Sequence, residues 1–86
     1  MLKGILYQDL VREALRAGDL PTLRAAESTI LERESNYYAL VDEGVIPYNG
    51  YVACEFDSAK EKLAVAIEAE EKANAEALYW EYLELS

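Results

Sequence analysis

Carboxylates are the residues of this chain that could do acid–base chemistry, because its 86 residues include 17 aspartates and glutamates but no histidine. The lack of histidine excludes nucleophile systems that depend on an imidazole base. The densest acidic group is Glu68, Glu70 and Glu71, of which the first and third share a helix face. Paired carboxylates can cleave glycosidic bonds, but so short a chain leaves little room for a substrate cleft. We therefore interpret this group as a solvated acidic face and expect no enzyme.

No motif for a cofactor or a metal accompanies these acids. The sequence has no glycine-rich phosphate loop and no calcium-loop pattern, so neither a cofactor nor a metal is expected. Cys54 is the only cysteine, which excludes an internal disulfide. Because free cysteine is among the most buried residue types, we interpret Cys54 as a small apolar core residue. A single free thiol is also typical of a reducing compartment, which predicts a cytoplasmic location.

The charge is distributed unevenly along the chain. Residues 1–36 contain six acids and five bases, whereas residues 37–86 contain eleven acids and three bases, so −8 of the net charge of −9 lies in the second part. This field disfavours direct binding to nucleic acid or to an anionic membrane surface, both of which require basic residues. No apolar run approaches the roughly 20 residues of a membrane span. The expected partner is a larger protein with a basic surface.

Apolar periodicity predicts a mainly α protein: one small domain, residues 1–86, with three helices. The first helix is predicted over residues 5–17. The second is predicted over residues 20–43, with Asp19 as its N-cap and Gly44 as the residue that ends it.

A long third helix is predicted from Ser58 to about Leu83, because Ser58-Ala59-Lys60-Glu61 matches a capping box. Its apolar face is predicted to include Leu63, Leu78 and Trp80. Residues 45–56 between the second and third helices contain Asn49-Gly50 flanked by apolar residues, which is a strong short signal for a β-hairpin. An ordered loop with one turn fits the same residues, so this segment is predicted as a hairpin or a structured loop.

A surface for a protein partner is predicted on the third helix and the turn before it. The acids of this helix lack a matching stripe of bases, and a one-sided acidic helix can imitate a row of phosphates. Solubility alone is the competing explanation of that charge. Tyr48 and Tyr51, near the turn, are included in this surface because tyrosine is enriched at interfaces. The predicted partner-binding residues are Tyr48, Tyr51, Asp57, Glu61, Glu68, Glu71 and Glu76.

A second surface is predicted near the end of the same helix. Tyr79, Tyr82 and Leu83 fall on the side away from Leu63 and Ile67. These three residues are predicted as the seam of a homodimer.

In size, acidity and lack of motifs, the chain resembles the inhibitors that phages and mobile elements use against host defences, including anti-CRISPR and anti-restriction proteins. The resemblance is one of composition. It implies a small non-enzymatic inhibitor that docks on a basic nucleic-acid-binding site of a host protein, partly by charge mimicry. The alternative is a homodimeric helical protein with a structural or regulatory role and no mimicry.

Overall fold

Three helices form the protein in the computed structural model, which describes the backbone of residues 3–85 and the side chains of residues 8–84. They are α1 (Lys3–Ala17), α2 (Leu20–Asp42) and α3 (Gly50–Leu85). No strand occurs among the described residues. The prediction of a mainly α, three-helix protein with a long last helix is therefore confirmed.

The turn between α1 and α2 forms as the sequence predicts. Gly18 has a φ of +73°, a left-handed conformation that glycine adopts without steric cost. Asp19 then caps α2, because its Oδ2 atom accepts hydrogen bonds from the amide of Thr22 at 3.1 Å and from the Thr22 hydroxyl at 2.8 Å. These bonds satisfy one of the amides that the first turn of a helix leaves without a partner.

The end of α2 also forms as predicted. Gly44 has a φ of +76°, and its amide donates to the carbonyl of Val41 at 3.0 Å. The amide of Val45 donates to the carbonyl of Leu40 at 2.9 Å, which completes a Schellman motif. The helix therefore stops where the left-handed glycine turns the chain toward α3.

The hairpin alternative for residues 45–56 is wrong. A type I′ turn needs positive φ at both central residues, and Gly50 does not have it. Instead, the side-chain oxygen of Asn49 accepts from the amides of Tyr51 at 2.9 Å and Val52 at 3.4 Å, which makes Asn49 the N-cap of α3. Asparagine is one of the best N-cap residues, so the same dipeptide begins a helix. A loop is present, but it covers only residues 43–49.

The start predicted for the third helix at Ser58 is eight residues late, because Ser58 lies inside α3. The earlier start is held by Tyr37 of α2. Its hydroxyl accepts from the amide of Asn49 at 2.7 Å and donates to the carbonyl of the same residue at 3.2 Å. A contact between helices therefore reinforces the local cap at Asn49, and this contact is what the sequence alone does not reveal.

The core lies where all three helices overlap. Phe56 and Leu63 of α3 are fully buried against Leu23 and Ile30 of α2. The buried residues of the described part are Val11, Ala14, Leu23, Ala26, Ile30, Ala53, Phe56, Ala59 and Leu63. On α3, burial ends near Glu70, and every side chain from residue 71 to residue 84 is exposed. We call residues 71–84 the projecting segment.

One charged contact reinforces the packing of α2 on α3. The ammonium group of Lys60 lies 2.8 Å from one carboxylate oxygen of Glu34 and 3.0 Å from the other. This hydrogen-bonded partner raises the pKa of Lys60 above its usual value, so the ion pair persists into alkaline solution. Because Glu34 is only partly exposed, this salt bridge helps to hold α2 against α3 and is not an ordinary solvent-exposed pair.

Phe56→Ala is expected to lower the free energy of unfolding by about 3–5 kcal/mol, because it leaves a cavity in the enclosed core. Urea unfolding followed by far-UV circular dichroism measures this. Val65→Ala is the matched control, since it removes apolar atoms from the exposed side of the same helix and should change stability by less than about 0.5 kcal/mol. Equal losses in the two variants would contradict the position of the core.

Asp19 is expected to stabilise the protein in a pH-dependent way. The hydrogen bonds from Thr22 lower the pKa of Asp19 from its ordinary value of 3.8. The contribution of the charged cap is therefore complete above that ordinary value and is lost as pH falls through the lower folded-state value. Asp19→Ala should lower the Tm by about 5 °C at neutral pH.

The matched variant is Asp19→Asn, which keeps a good N-cap residue without a titrating group. Melting curves of wild type, Asp19→Ala and Asp19→Asn at neutral pH and at about pH 3 separate the contribution of the cap hydrogen bonds from that of the carboxylate charge. The difference in Tm between wild type and Asp19→Ala should shrink in acid. A difference of the same size at both pH values would show that the charge of Asp19 does not contribute.

Candidate functional surfaces on helix α3

The outer face of α3 is the side opposite the buried residues Phe56 and Leu63. Three of the predicted acids, Asp57, Glu61 and Glu68, lie along this face and are exposed. At about 100° per residue their positions fall within about 40° of one another, and they span about 16 Å along the helix. We call these three residues the acid row.

Two members of the acid row are paired with bases of their own helix. A carboxylate oxygen of Asp57 lies 3.5 Å from the ammonium of Lys60, and one of Glu68 lies 3.2 Å from that of Lys72. Both carboxylates are mostly exposed, and such surface pairs contribute about 0–1 kcal/mol. Basic side chains of a partner protein could therefore replace Lys60 and Lys72 as the partners of these carboxylates. Glu61 makes no salt bridge within the described part of the chain.

The two remaining predicted acids, Glu71 and Glu76, follow the acid row along α3, and Glu71 shares a helix face with Glu68. A carboxylate oxygen of Glu71 accepts a hydrogen bond from the guanidinium of Arg24 at 2.9 Å, which ties α3 to the beginning of α2. Glu76 lies in the projecting segment and accepts from the indole nitrogen of Trp80 at 3.4 Å. Glu71 therefore has a structural contact with α2, and Glu76 extends the acidic surface toward the aromatic end of the helix.

Tyr48 and Tyr51 lie at the end of the molecule where α2 turns into α3. Their exposed fractions are 60% and 74%. Asp57 lies at the same end, because it is only six residues, about 9 Å, beyond Tyr51 along α3. Burial raises the pKa of the Tyr38 hydroxyl, and the charges of Tyr48, Glu34 and Asp57 raise it further. The structure thus brings both predicted tyrosines and the first acid of the row to one end of α3.

Tyr79, Tyr82 and Leu83 form a separate surface in the projecting segment. They are 57%, 70% and 44% exposed, on the same side of α3 as the acid row. Tyr79 is 28 residues beyond Tyr51, a rise of about 42 Å along the helix. Tyr48 and Tyr51 are therefore far from this surface, whereas Glu76, the last of the predicted partner-binding acids, lies one turn before Tyr79.

The prediction that Leu78 and Trp80 belong to the buried face is wrong, because they are 66% and 55% exposed. Neither α1 nor α2 reaches far enough along α3 to cover them. The lengths of α1 and α2 determine whether Leu78 and Trp80 are buried, and the apolar periodicity of α3 does not give those lengths. The exposed Leu78 is a surface residue that sequence reasoning missed.

Cys54 is exposed rather than buried, contrary to the prediction. It lies near the outer face of α3, one residue after the buried Ala53 and two before Phe56. The earlier start of α3 explains the difference, because a helical register over residues 50–56 turns Cys54 away from the core.

Each of three grooves formed by the described residues has a single carboxylate in its wall, that of Glu55, Glu13 or Glu61. The groove between α1 and α3 has a volume of about 390 Å³ and a single carboxylate in its wall, that of Glu55. This carboxylate accepts a hydrogen bond from the side-chain amide nitrogen, Nε2, of Gln8 at 3.0 Å. Glu68, Glu70 and Glu71 do not line this groove. In the described part of the chain no three histidine, cysteine or acidic residues cluster as metal ligands would.

Comparison with known proteins was made at the level of families, curated sequences and solved structures. No family model matches the chain, and no curated protein or solved structure shows significant similarity to it. Over the described residues, none of the helices combines the length and the apolar composition that crossing a bilayer requires. The function is therefore inferred from the two surfaces of α3.

Proposed function

We propose that this chain is a non-enzymatic acidic binding protein that docks on the basic, nucleic-acid-binding surface of a larger protein. The observation that supports this function best is the acid row: Asp57, Glu61 and Glu68 lie exposed along one side of a single helix. Carboxylates accept charge-assisted hydrogen bonds from lysine and arginine, as phosphate oxygens do. A groove that holds phosphates with basic side chains can therefore also hold this helix.

The charge of the chain would act on association before any contact forms. Residues 37–86 carry −8 of the net −9, and the acid row lies within this part. Such a field steers the protein toward a positive surface and increases the association rate at low ionic strength. Tyr48 and Tyr51 would then supply apolar contact beside the charged one, because exposed tyrosines are frequent anchors of interfaces.

The mechanism is competition. While α3 occupies the basic groove, the phosphates of a nucleic acid cannot, and the inhibited protein loses its substrate or its template. The resemblance in composition to the inhibitors of phages and mobile elements agrees with this role, and so does a cytoplasmic location. No step of bond making or breaking is involved.

The alternative function is that of a homodimeric structural or regulatory protein without mimicry. It is favoured by a different observation, the exposed Tyr79, Tyr82 and Leu83. The two functions differ in their response to salt, since charge-driven docking weakens as ionic strength rises and an apolar seam does not.

Glu61→Lys combined with Glu68→Lys is expected to reduce binding to the basic partner by at least about tenfold at low salt, because it reverses the charge of the acid row. The matched control is Glu13→Lys combined with Glu32→Lys. It changes the net charge by the same amount on exposed positions of α1 and α2. Tagged forms of all three proteins would be used to capture proteins from a lysate of the host.

The captured proteins would be eluted with a short duplex oligonucleotide and identified by mass. A nucleic-acid-binding protein that wild type and the control retain, that the acid-row variant loses and that the duplex displaces would support the proposal. The proposal fails if the acid-row variant captures the same proteins at low salt. It also fails if the control loses them equally, because net charge alone would then explain the binding.

A further inference from the structure

The exposed apolar residues of the projecting segment form a continuous strip. They follow the spacing of one helix face, at positions i, i+3, i+4, i+7 and i+8. We call them the distal strip: Ala75, Leu78, Tyr79, Tyr82 and Leu83. Trp80 is also exposed but lies on another side of the helix.

The distal strip is not a continuation of the core face. Continued from Leu63 at helical spacing, the core face passes through Glu70, Asn74 and Glu81. The core side of α3 therefore becomes polar where α1 and α2 no longer cover it. The apolar residues appear instead on the other side, at an angle of about 130° to the core face. The apolar residues of the projecting segment therefore form a surface that is separate from the core face.

The area of the distal strip fits what a dimer needs. Judged from the sizes of its side chains and their exposed fractions, it presents about 500 Å² of surface, near the upper end for an apolar patch on a monomer. Two such strips in contact bury about 1,000 Å² in total, which reaches the lower bound of a specific interface.

The charge around the distal strip agrees with a second copy as its occupant. The acids beyond Tyr79, namely Glu81 and Glu84, lie on the opposite side of the helix. The charged residues that border the strip are Glu71, Lys72 and Glu76, and Glu71 is neutralised by its salt bridge with Arg24, which leaves one charge of each sign. The strip is therefore close to neutral, and two copies can meet there without strong repulsion.

The acid row determines the orientation of that pair. It lies on the same side of α3 as the distal strip, and its last member, Glu68, is about 10 Å nearer the start of the helix than Ala75. In a parallel pair the two acid rows would face each other, and like charges in contact are destabilising. In an antiparallel pair they lie at opposite ends of the dimer, beyond the reach of screened charge interactions.

We propose that two copies of this chain form an antiparallel, two-fold symmetric dimer through their distal strips. Tyr79 lies near the two-fold axis, and the small Ala75 of each copy faces the large Leu83 of the other. An interface of this kind is self-complementary, as two-fold symmetry requires. The bodies built from α1 and α2 lie at opposite ends. This inference does not depend on the proposed function, because the acid row takes no part in the contact.

The first test is the mass of the protein in solution, measured by sedimentation up to about 100 µM. Wild type should be a dimer, and Leu78→Gln combined with Tyr82→Gln should weaken the dimer at least about tenfold. Leu31→Gln combined with Val65→Gln is the matched control, since it removes two exposed apolar side chains that lie outside the strip. Far-UV circular dichroism verifies that each variant keeps its helices.

Salt distinguishes this dimer from charge-driven docking. Between about 50 mM and 500 mM salt the dimer should keep or increase its affinity, because screening reduces the repulsion of two negative chains. A monomeric wild type at the highest concentration overturns the proposal, even if another protein is found to bind the strip. A dimer that the control variant, Leu31→Gln combined with Val65→Gln, disrupts as strongly as the strip variant overturns it as well.

The second test uses Cys54, the only cysteine, which is exposed near the start of α3. Spin labels on the two Cys54 residues should lie about 75 Å apart in the antiparallel dimer. In a parallel dimer they would lie roughly 10–20 Å apart, because paired helices are about 8–10 Å from axis to axis. Pulsed dipolar spectroscopy separates these distances, and a short one would overturn the proposed orientation.

Discussion

The difference in length between α3 and the helices that cover it is the constraint on which the rest of this structure depends. α3 has 36 residues, whereas α2 has 23 and α1 has 15. The buried apolar side chains that α3 contributes, Ala53, Phe56, Ala59 and Leu63, therefore all lie in its first half. The radius of gyration of 16.9 Å exceeds the value of about 12 Å expected for a compact chain of this length. One end of the molecule is a packed three-helix body, and the other is a helix surrounded by solvent.

Features fixed by neighbouring residues could be predicted from the sequence, and features fixed by distant contacts could not. The stop at Gly44 and the cap at Asp19 depend on hydrogen bonds within a few residues, and both form as predicted. The start of α3 depends on the Tyr37 hydroxyl, which reaches Asn49 from another helix. Without that contact, Asn49-Gly50 suits a hairpin turn as well as a helix cap.

The same distinction applies to the surfaces. Helical spacing predicted that Tyr79, Tyr82 and Leu83 lie on the side of α3 away from Leu63, and they are exposed there, because direction follows from sequence position. It did not show that Leu78 and Trp80 would be exposed, since exposure depends on where the other helices end. The polar residues Glu70 and Asn74 within the predicted apolar arc were the available signal. They mark the place where the core side of α3 meets water.

The two proposed surfaces of α3 would depend on different forces, and this difference would give each a separate role. The acid row would act over a Debye length and lose strength in salt, whereas the distal strip would act only at contact and would not weaken in salt. Because they are separated along the helix, changes in one should add to changes in the other. An antiparallel dimer would present two acid rows on one particle. A partner with two basic sites at a matching distance would then be held more tightly than one site allows, through effective concentration alone.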